Sequence, residues 1–390
     1  MFRLSSLSAK IAMVAAAVTL AACSGGSNAT RGDGGRNNVD TTKPVRIALL
    51  APATSTNAGA ASLGKALINA ARLAERDLRG GPKIELMVMD TGGDEAKARA
   101  AAAKAAQSGA KIILGPLFSA NTKAIASTAA RNNLKVIAFS TDSTVAGGPV
   151  YLSGFLPEVE ARRVIDYARS RGVNTTGIFY PKTPLGEVVL RGAQRAAGAN
   201  LVAVTAFDRT SEGIVEGATV FAEQVRATGA LGLMVADSGQ GMIFAVDQLT
   251  ENGLSADRFR YLGLGGWNSR ATLSSARLRN AWFPAPDPTK MEAFVQRYRA
   301  AYGSVPPPLA VLGYDAVSIV GQMLRSAQAT GSSAPFSTAN LTRPQGFTGI
   351  VGPVRFNRSG IGERGMAILE VGASDFSVVD PAPRTFGGGS

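Results

Sequence analysis

The sequence predicts a two-lobed α/β protein, each lobe a mostly parallel sheet flanked by helices. Three observations predict it. Short apolar runs alternate with helix-length amphipathic ones along the body of the chain, the pattern of βαβ units. A long loop at 141–149 interrupts that rhythm, after which it starts again. A chain of 390 residues that is 45% hydrophobic has enough apolar material for two sizeable cores.

The first series opens at 45–50, a buried-strand run. Leu63, Leu67, Ala70, Ala74 and Leu78 follow on one helical face, which Gly80-Gly81-Pro82 ends. Residues 84–89 form the next strand, 94–106 an Ala-rich helix, 111–114 a strand, 120–130 a helix and 135–139 a strand. The second series runs helix 158–170, strand 177–180, helix 185–197, strand 201–207, helix 212–227, strand 231–236, helix 241–252 and strand 259–262. Helices near 290–301 and 309–327 come next. A hairpin then joins 349–356 to 365–370, with Asn357-Arg358-Ser359-Gly360 as turn residues.

At the N-terminus, Arg3 and Lys10 precede an apolar stretch of about ten residues, 11–20, too short to span a bilayer core of roughly 30 Å. Leu20-Ala21-Ala22-Cys23 then resembles the lipobox of bacterial lipoproteins, which implies removal of 1–22 and acylation of Cys23. Ser24 after the cysteine suggests sorting to the outer membrane, so the expected location is periplasmic and lipid-anchored. Cys23 is the single cysteine of the chain, so no disulfide competes for it. The alternative is an ordinary cleaved signal with a chance cysteine. Gly- and Asn-rich residues 23–43 read as a tether and 381–390 as a frayed tail.

The formal charge is +13, and losing Arg3 and Lys10 with the signal leaves +11. Such a balance admits nucleic acid, an anionic membrane surface or an acidic wall polymer; export argues against nucleic acid. A generic basic surface explains the dispersed charges equally well. The chain has no histidine, and its cysteine is assigned to acylation, which removes His-dependent triads and Cys/His metal sites. No carboxylate pair or Ser/Lys dyad is singled out by spacing. Gly92-Gly93 and Gly263-Leu264-Gly265-Gly266 fit neither GxGxxG nor a P-loop. The expectation is a non-catalytic protein without cofactor or metal.

The order of elements, together with Ile113-Leu114-Gly115-Pro116-Leu117-Phe118-Ser119, residues 135–143, Leu312-Gly313-Tyr314-Asp315-Ala316-Val317 and residues 349–360, resembles the type I periplasmic binding proteins of the leucine, isoleucine and valine branch. The resemblance implies a three-strand hinge, lobe 1 at 44–150 plus 280–330, lobe 2 at 151–279 plus 331–380, and a cleft at the carboxyl ends of the strands. Residues 151–161, Pro184-Leu185-Gly186, Trp267-Asn268 and Ala281-Trp282-Phe283 resemble more closely the penicillin-binding protein activator lipoproteins. That resemblance implies a regulator of peptidoglycan synthesis whose partner is a penicillin-binding protein or another cell-wall synthase. The alternative is the substrate-binding lipoprotein of an amino-acid ABC transporter, with an amino acid or other small ligand and an ABC permease as partners.

Cleft chemistry separates these readings, because a desolvated amino acid needs partners for both its carboxylate and its ammonium. The amino-acid-binding relatives hold the carboxylate with hydroxyls and backbone N–H groups, and Ser119, Thr141 and Ser143 match those positions. Ser119 reads equally as a helix N-cap worth about 1 kcal/mol, and the other two as solvated loop residues. For the ammonium, the relatives place an acid after the strand that here ends at 261–267, a stretch without a carboxylate. Asp237 and Asp142 are the substitutes, although an Asp at a strand end more often caps the next helix. Trp267, in a Gly-rich loop, lines the cleft or anchors a partner. Trp282 and Tyr314 read equally as core. The resulting expectation is a cleft remodelled for another ligand or left without one.

Overall fold

The computed structural model describes residues 38–387; the signal peptide and Cys23 lie outside the described residues. The first lobe is built on β1 (Val45–Ala51), α1 (Ala58–Asp77), β2 (Ile84–Asp90), α2 (Glu95–Gln107), β3 (Ile112–Leu114), α3 (Ser119–Arg131), β4 (Lys135–Ala138) and β5 (Val150–Leu152). Its five strands are all parallel in the order β2-β1-β3-β4-β5. Alternation along β1 shows how both faces are used. Ile47 and Leu49 enter one core, and Ala48 and Leu50 enter the other with the alanines of α2 and Ile125 of α3.

The second lobe follows with α4 (Pro157–Ser170), β6 (Thr176–Pro181), α5 (Pro184–Ala197), β7 (Leu201–Phe207), α6 (Ser211–Thr228), β8 (Gly232–Val235), α7 (Gly239–Glu251), β9 (Arg260–Leu262), α8 (Arg270–Ser274) and β10 (Trp282–Ala285). The chain then returns to the first lobe through α9 (Pro288–Tyr302), α10 (Val311–Thr330), α11 (Thr338–Leu341), β11 (Phe347–Gly349), β12 (Gly352–Phe356) and β13 (Gly362–Arg364). It ends in the second lobe with β14 (Ala367–Val371) and β15 (Phe376–Asp380). The second sheet has the order β15-β14-β10-β9-β8-β6-β7, parallel except where β14 and β15 run antiparallel to their neighbours. Phe221 of α6 and Val246 of α7 cover one face, Val164 of α4 and Val189 of α5 the other. The chain therefore crosses between lobes at 153–156, 286–287 and 365–366.

Several boundaries differ from the sequence expectation. Residues 282–285, expected with lobe 1, pair with β9 and β14 of the second sheet, because Trp282 and Phe283 fill the cores on its two faces. Residues 336–356, expected in lobe 2, place Phe336, Leu341, Phe347, Val354 and Phe356 against α10 in the first lobe. The hairpin keeps its 357–360 turn, but β12 pairs with β13, and 367–371 leaves to become β14. Tyr151, expected to open lobe 2, lies within β5 of the first sheet. The tether ends earlier than expected: Val39 is buried, and its N–H donates to Ser333 O at 2.8 Å. In the expected tail, Ala382 is buried in the second core and Arg355 sits over the ring of Phe386.

Helices α1 and α10 pack closely through Gly313 and Gly321. A Cβ on Gly313 would overlap the backbone carbonyl of Leu67, whereas one on Gly321 would meet the side chain of Leu78 at 2.6 Å. Backbone cannot yield as a leucine rotamer can. Gly313→Ala is therefore expected to cost about 1–3 kcal/mol and Gly321→Ala clearly less. Equal costs in denaturant melts would contradict this packing.

Candidate functional site

The carboxyl ends of the strands in both lobes face one interlobe cleft, which contains two cavities sharing Thr141. The larger, of about 580 Å³, lies at the hinge. Thr141 and α9 residues Met291 and Glu292 bound it from the first lobe, Glu160, Gly265, Gly266 and Asn268 from the second, and Phe155 and Pro286 from the crossings. Two carboxylates, Glu160 and Glu292, are on its wall and no lysine or arginine is. In a chain of net charge +13, that local polarity runs against the average.

Glu160 is the residue that sequence reasoning missed. It lies in the first turn of α4, started by Pro157, where acidic side chains favour the positive helix end. Its Oε2 accepts from Gly265 N–H at 3.0 Å, so a carboxylate does reach the stretch after β9, delivered from a helix in the preceding half of the lobe. Glycine permits this approach: a Cβ at residue 265 would stand 2.7 Å from Glu160 Oε1. Burial, reinforced by the neighbouring charge of Glu158 and opposed by the Gly265 N–H, pushes the Glu160 carboxyl up to about 7.

That shift has a sign. The folded protein holds this proton more tightly than the unfolded chain does, so the stabilisation is complete below the ordinary value of 4.5 and is lost as pH rises toward 7. The loss amounts to at most about 3 kcal/mol. Glu160→Gln should therefore raise the melting temperature at about pH 8 and lose that advantage at about pH 4. A variant equally or less stable than the parent at the higher pH would contradict the burial of a charge here.

The residues expected from sequence are distributed unevenly. Ser119 is the first residue of α3 rather than its cap, which is Phe118 without a side-chain cap bond. It lines the second cavity, of about 510 Å³, with Thr141, Asp142 and Thr144. Thr141 is exposed and borders both cavities. Asp142 is occupied locally, its Oδ1 accepting from Thr144 N at 3.0 Å and Thr144 Oγ1 at 2.6 Å. Ser143 starts a 3₁₀ turn, 143–145, and is on neither cavity wall.

Asp237 is buried, and it too is on neither wall. Its Oδ1 accepts from Ser238 N–H at 2.8 Å and lies 3.2 Å from Arg209 Nη2, while the cap of α7 is Ser238. Trp267 neither lines the cleft nor presents an anchor. Its ring is fully buried in the space that Gly263 leaves open, and its Nε1 donates to Asp237 O at 2.9 Å. Trp282 is core as well, donating to Glu370 Oε2 at 2.8 Å beneath Arg260. No group of three or more metal-ligating side chains occurs among the described residues.

Two α/β lobes joined by three crossings around a cavity-bearing cleft are the architecture of a two-lobed binding-protein fold. The chain belongs to the periplasmic binding protein family, whose model matches residues 44–375. Solved structures share the fold. A protein of Rhodospirillum rubrum described as a branched-chain amino acid ABC transporter is 17% identical over 86% of this chain and 100% of its own, with a TM-score of 0.73. An ABC transporter substrate-binding protein of Desulfitobacterium hafniense, in complex with Leu, is 18% identical over 86% and 100%, with a TM-score of 0.62. The R. palustris solute binding protein in complex with benzoate is 17% identical over 88% and 97%, with a TM-score of 0.56. No curated protein matches the chain.

Proposed function

We propose that this protein is the extracytoplasmic substrate-binding component of an ABC transporter and that its ligand is a small molecule of the amino-acid class bound in the interlobe cavity. The carrying observation is Glu160, a carboxylate held by Gly265 on a wall without cations, the partner that an ammonium requires. Thr141 stands across the cleft and Ser119 farther along it, offering hydroxyls to a carboxylate. Phe155, Met291 and Leu309 supply apolar contact for a side chain. A wall bearing two carboxylates disfavours a purely anionic ligand such as the benzoate of the R. palustris protein.

Solved proteins described as a branched-chain amino acid ABC transporter and as an ABC transporter substrate-binding protein in complex with Leu support this reading. The transporter component, the alternative reading of the sequence, is therefore preferred to a regulator whose partner is a cell-wall synthase. Lipidation at Cys23 and outer-membrane sorting are retained only as parts of this proposal; they rest on the sequence motif.

Calorimetry with a panel of amino acids tests the reading. At least one should bind, and the affinity should tighten as pH rises through 7, because Glu160 must lose its proton to meet an ammonium. Gly265→Ala, which expels the carboxylate, should weaken that ligand about ten-fold or more. Uniform absence of binding, or tighter binding of carboxylates lacking an amine, would overturn it.

A further inference from the structure

We propose that the edge of the first lobe opposite the cleft is a docking site for the phosphate-bearing headgroups of an anionic membrane. Helices α1 and α10 lie side by side, with Gly313 against Leu67 and Gly321 against Leu78, so their C-terminal ends reach the same place, beside the N-terminal edge of β1 and β2. There Arg76, Arg79, Lys83 and Arg325 surround a concavity of about 400 Å³. The one carboxylate on its wall, Glu75, accepts from Leu86 N–H at 3.2 Å. None of the four cations forms an ion pair among the described residues.

Cations at helix C-termini also complement the helix dipole, and part of this cluster does that. Arg79 donates to the carbonyls of Arg76 and Leu78, and Arg76 donates to Tyr302 Oη at 3.0 Å. Lys83 follows the α1 helix by several residues and makes no side-chain hydrogen bond, and Arg325 uses only its aliphatic stem, against Gly81. Two cations thus remain unengaged beside two engaged ones, around a hollow with ample room for a phosphate-bearing headgroup. Lys135 opens β4 on the same edge.

The chain itself says what faces this edge. Val45 N–H donates to Lys83 O at 2.8 Å, and Val39 is fixed to Ser333 just beyond α10, so the segment leading back to Cys23 joins the body beside the pocket. Asn38 follows Cys23 by only fifteen positions in the chain. A body attached there presents its basic edge to the bilayer and its cleft away from it. Each cation near an anionic surface contributes about 1 kcal/mol within a Debye length, so the pocket strengthens and orients attachment.

The test uses the chain from residue 23 onward carrying Cys23→Ser, which has neither the apolar signal nor an acyl group, and co-sedimentation with phosphatidylglycerol or phosphatidylcholine vesicles. Binding to phosphatidylglycerol alone is expected, weakening about five-fold for each pocket cation removed and about thirty-fold in Lys83→Ala/Arg325→Ala. The same number of exposed second-lobe cations removed, Arg195→Ala/Arg270→Ala, should leave it unchanged. Equal losses in the two doubles would reduce the effect to net charge and overturn the site. Inorganic phosphate binding at the pocket, seen by titration without any vesicle binding, would make it a free-anion site and overturn the membrane as its occupant.

Discussion

Glu160→Gln is expected to weaken the amino-acid-class ligand by on the order of a hundred-fold while leaving the empty protein more stable above neutrality. Both effects have one cause. A buried carboxylate with a single N–H partner is costly when empty and is the strongest available partner for a desolvated ammonium. Removing the charge abolishes the Coulombic partner and the desolvation cost together. The amide can still accept from Gly265, so the loop after β9 should keep its position. Calorimetry and melting on one preparation read both quantities. A residue serving only as a structural tie would lose stability on substitution and leave binding nearly intact.

Arg364→Ala or Asp315→Ala is expected to destabilise the protein by about 3–5 kcal/mol. Their side chains are buried and meet at 2.6 Å between Arg364 Nη1 and Asp315 Oδ2. Arg364 Nε also donates to Ser153 O at 2.8 Å, and Ile350 N–H donates to Asp315 Oδ1 at 2.7 Å. Ser153 belongs to the first crossing and Arg364 immediately precedes the third, so the pair fixes two hinge strands to α10. The guanidinium lies 5.0 Å from the ring of Phe155, a cavity wall, so Arg364→Ala should also weaken ligand. Either single substitution leaves an uncompensated buried charge. The double Asp315→Leu/Arg364→Met leaves none and should cost markedly less in urea melts than the sum of the singles. Additive losses would show that the pair does not act as a unit.

Most of the architecture was legible because its period is strong. Buried parallel strands and amphipathic helices alternate through most of β1 to β9, and apart from β5, a three-residue strand that was not expected, expected and observed bounds there differ at the ends alone. What escaped was set by long-range pairing. Trp282-Phe283-Pro284-Ala285 has no strand period of its own, and its place in the second sheet is set by pairing with β9 and β14. Residues 365–370 carry the strand signal of a hairpin arm, yet nothing local says that β13 takes that place.

The site was less legible for the same reason. A search for an acid after β9 could not find one that arrives from 105 residues earlier. The available signal was Glu158 and Glu160 in a helix's first turn beside apolar neighbours, where a buried carboxylate needs a partner. Trp267 misled in the other direction: flanking glycines suggest exposure, whereas Gly263 makes room for the ring inside the core. Asp315 belongs to an apolar helix face, and only its distant partners Arg364 and the Ile350 N–H explain it.

The most direct test of the account is titration calorimetry of an amino-acid panel against the parent protein and Glu160→Gln at about pH 8 and about pH 5. The account predicts that a ligand bearing both an ammonium and a carboxylate binds the parent, more tightly at the higher pH, and that the variant loses most of the affinity together with its pH dependence. Binding of the same ligand with equal affinity by both proteins at both pH values would contradict it.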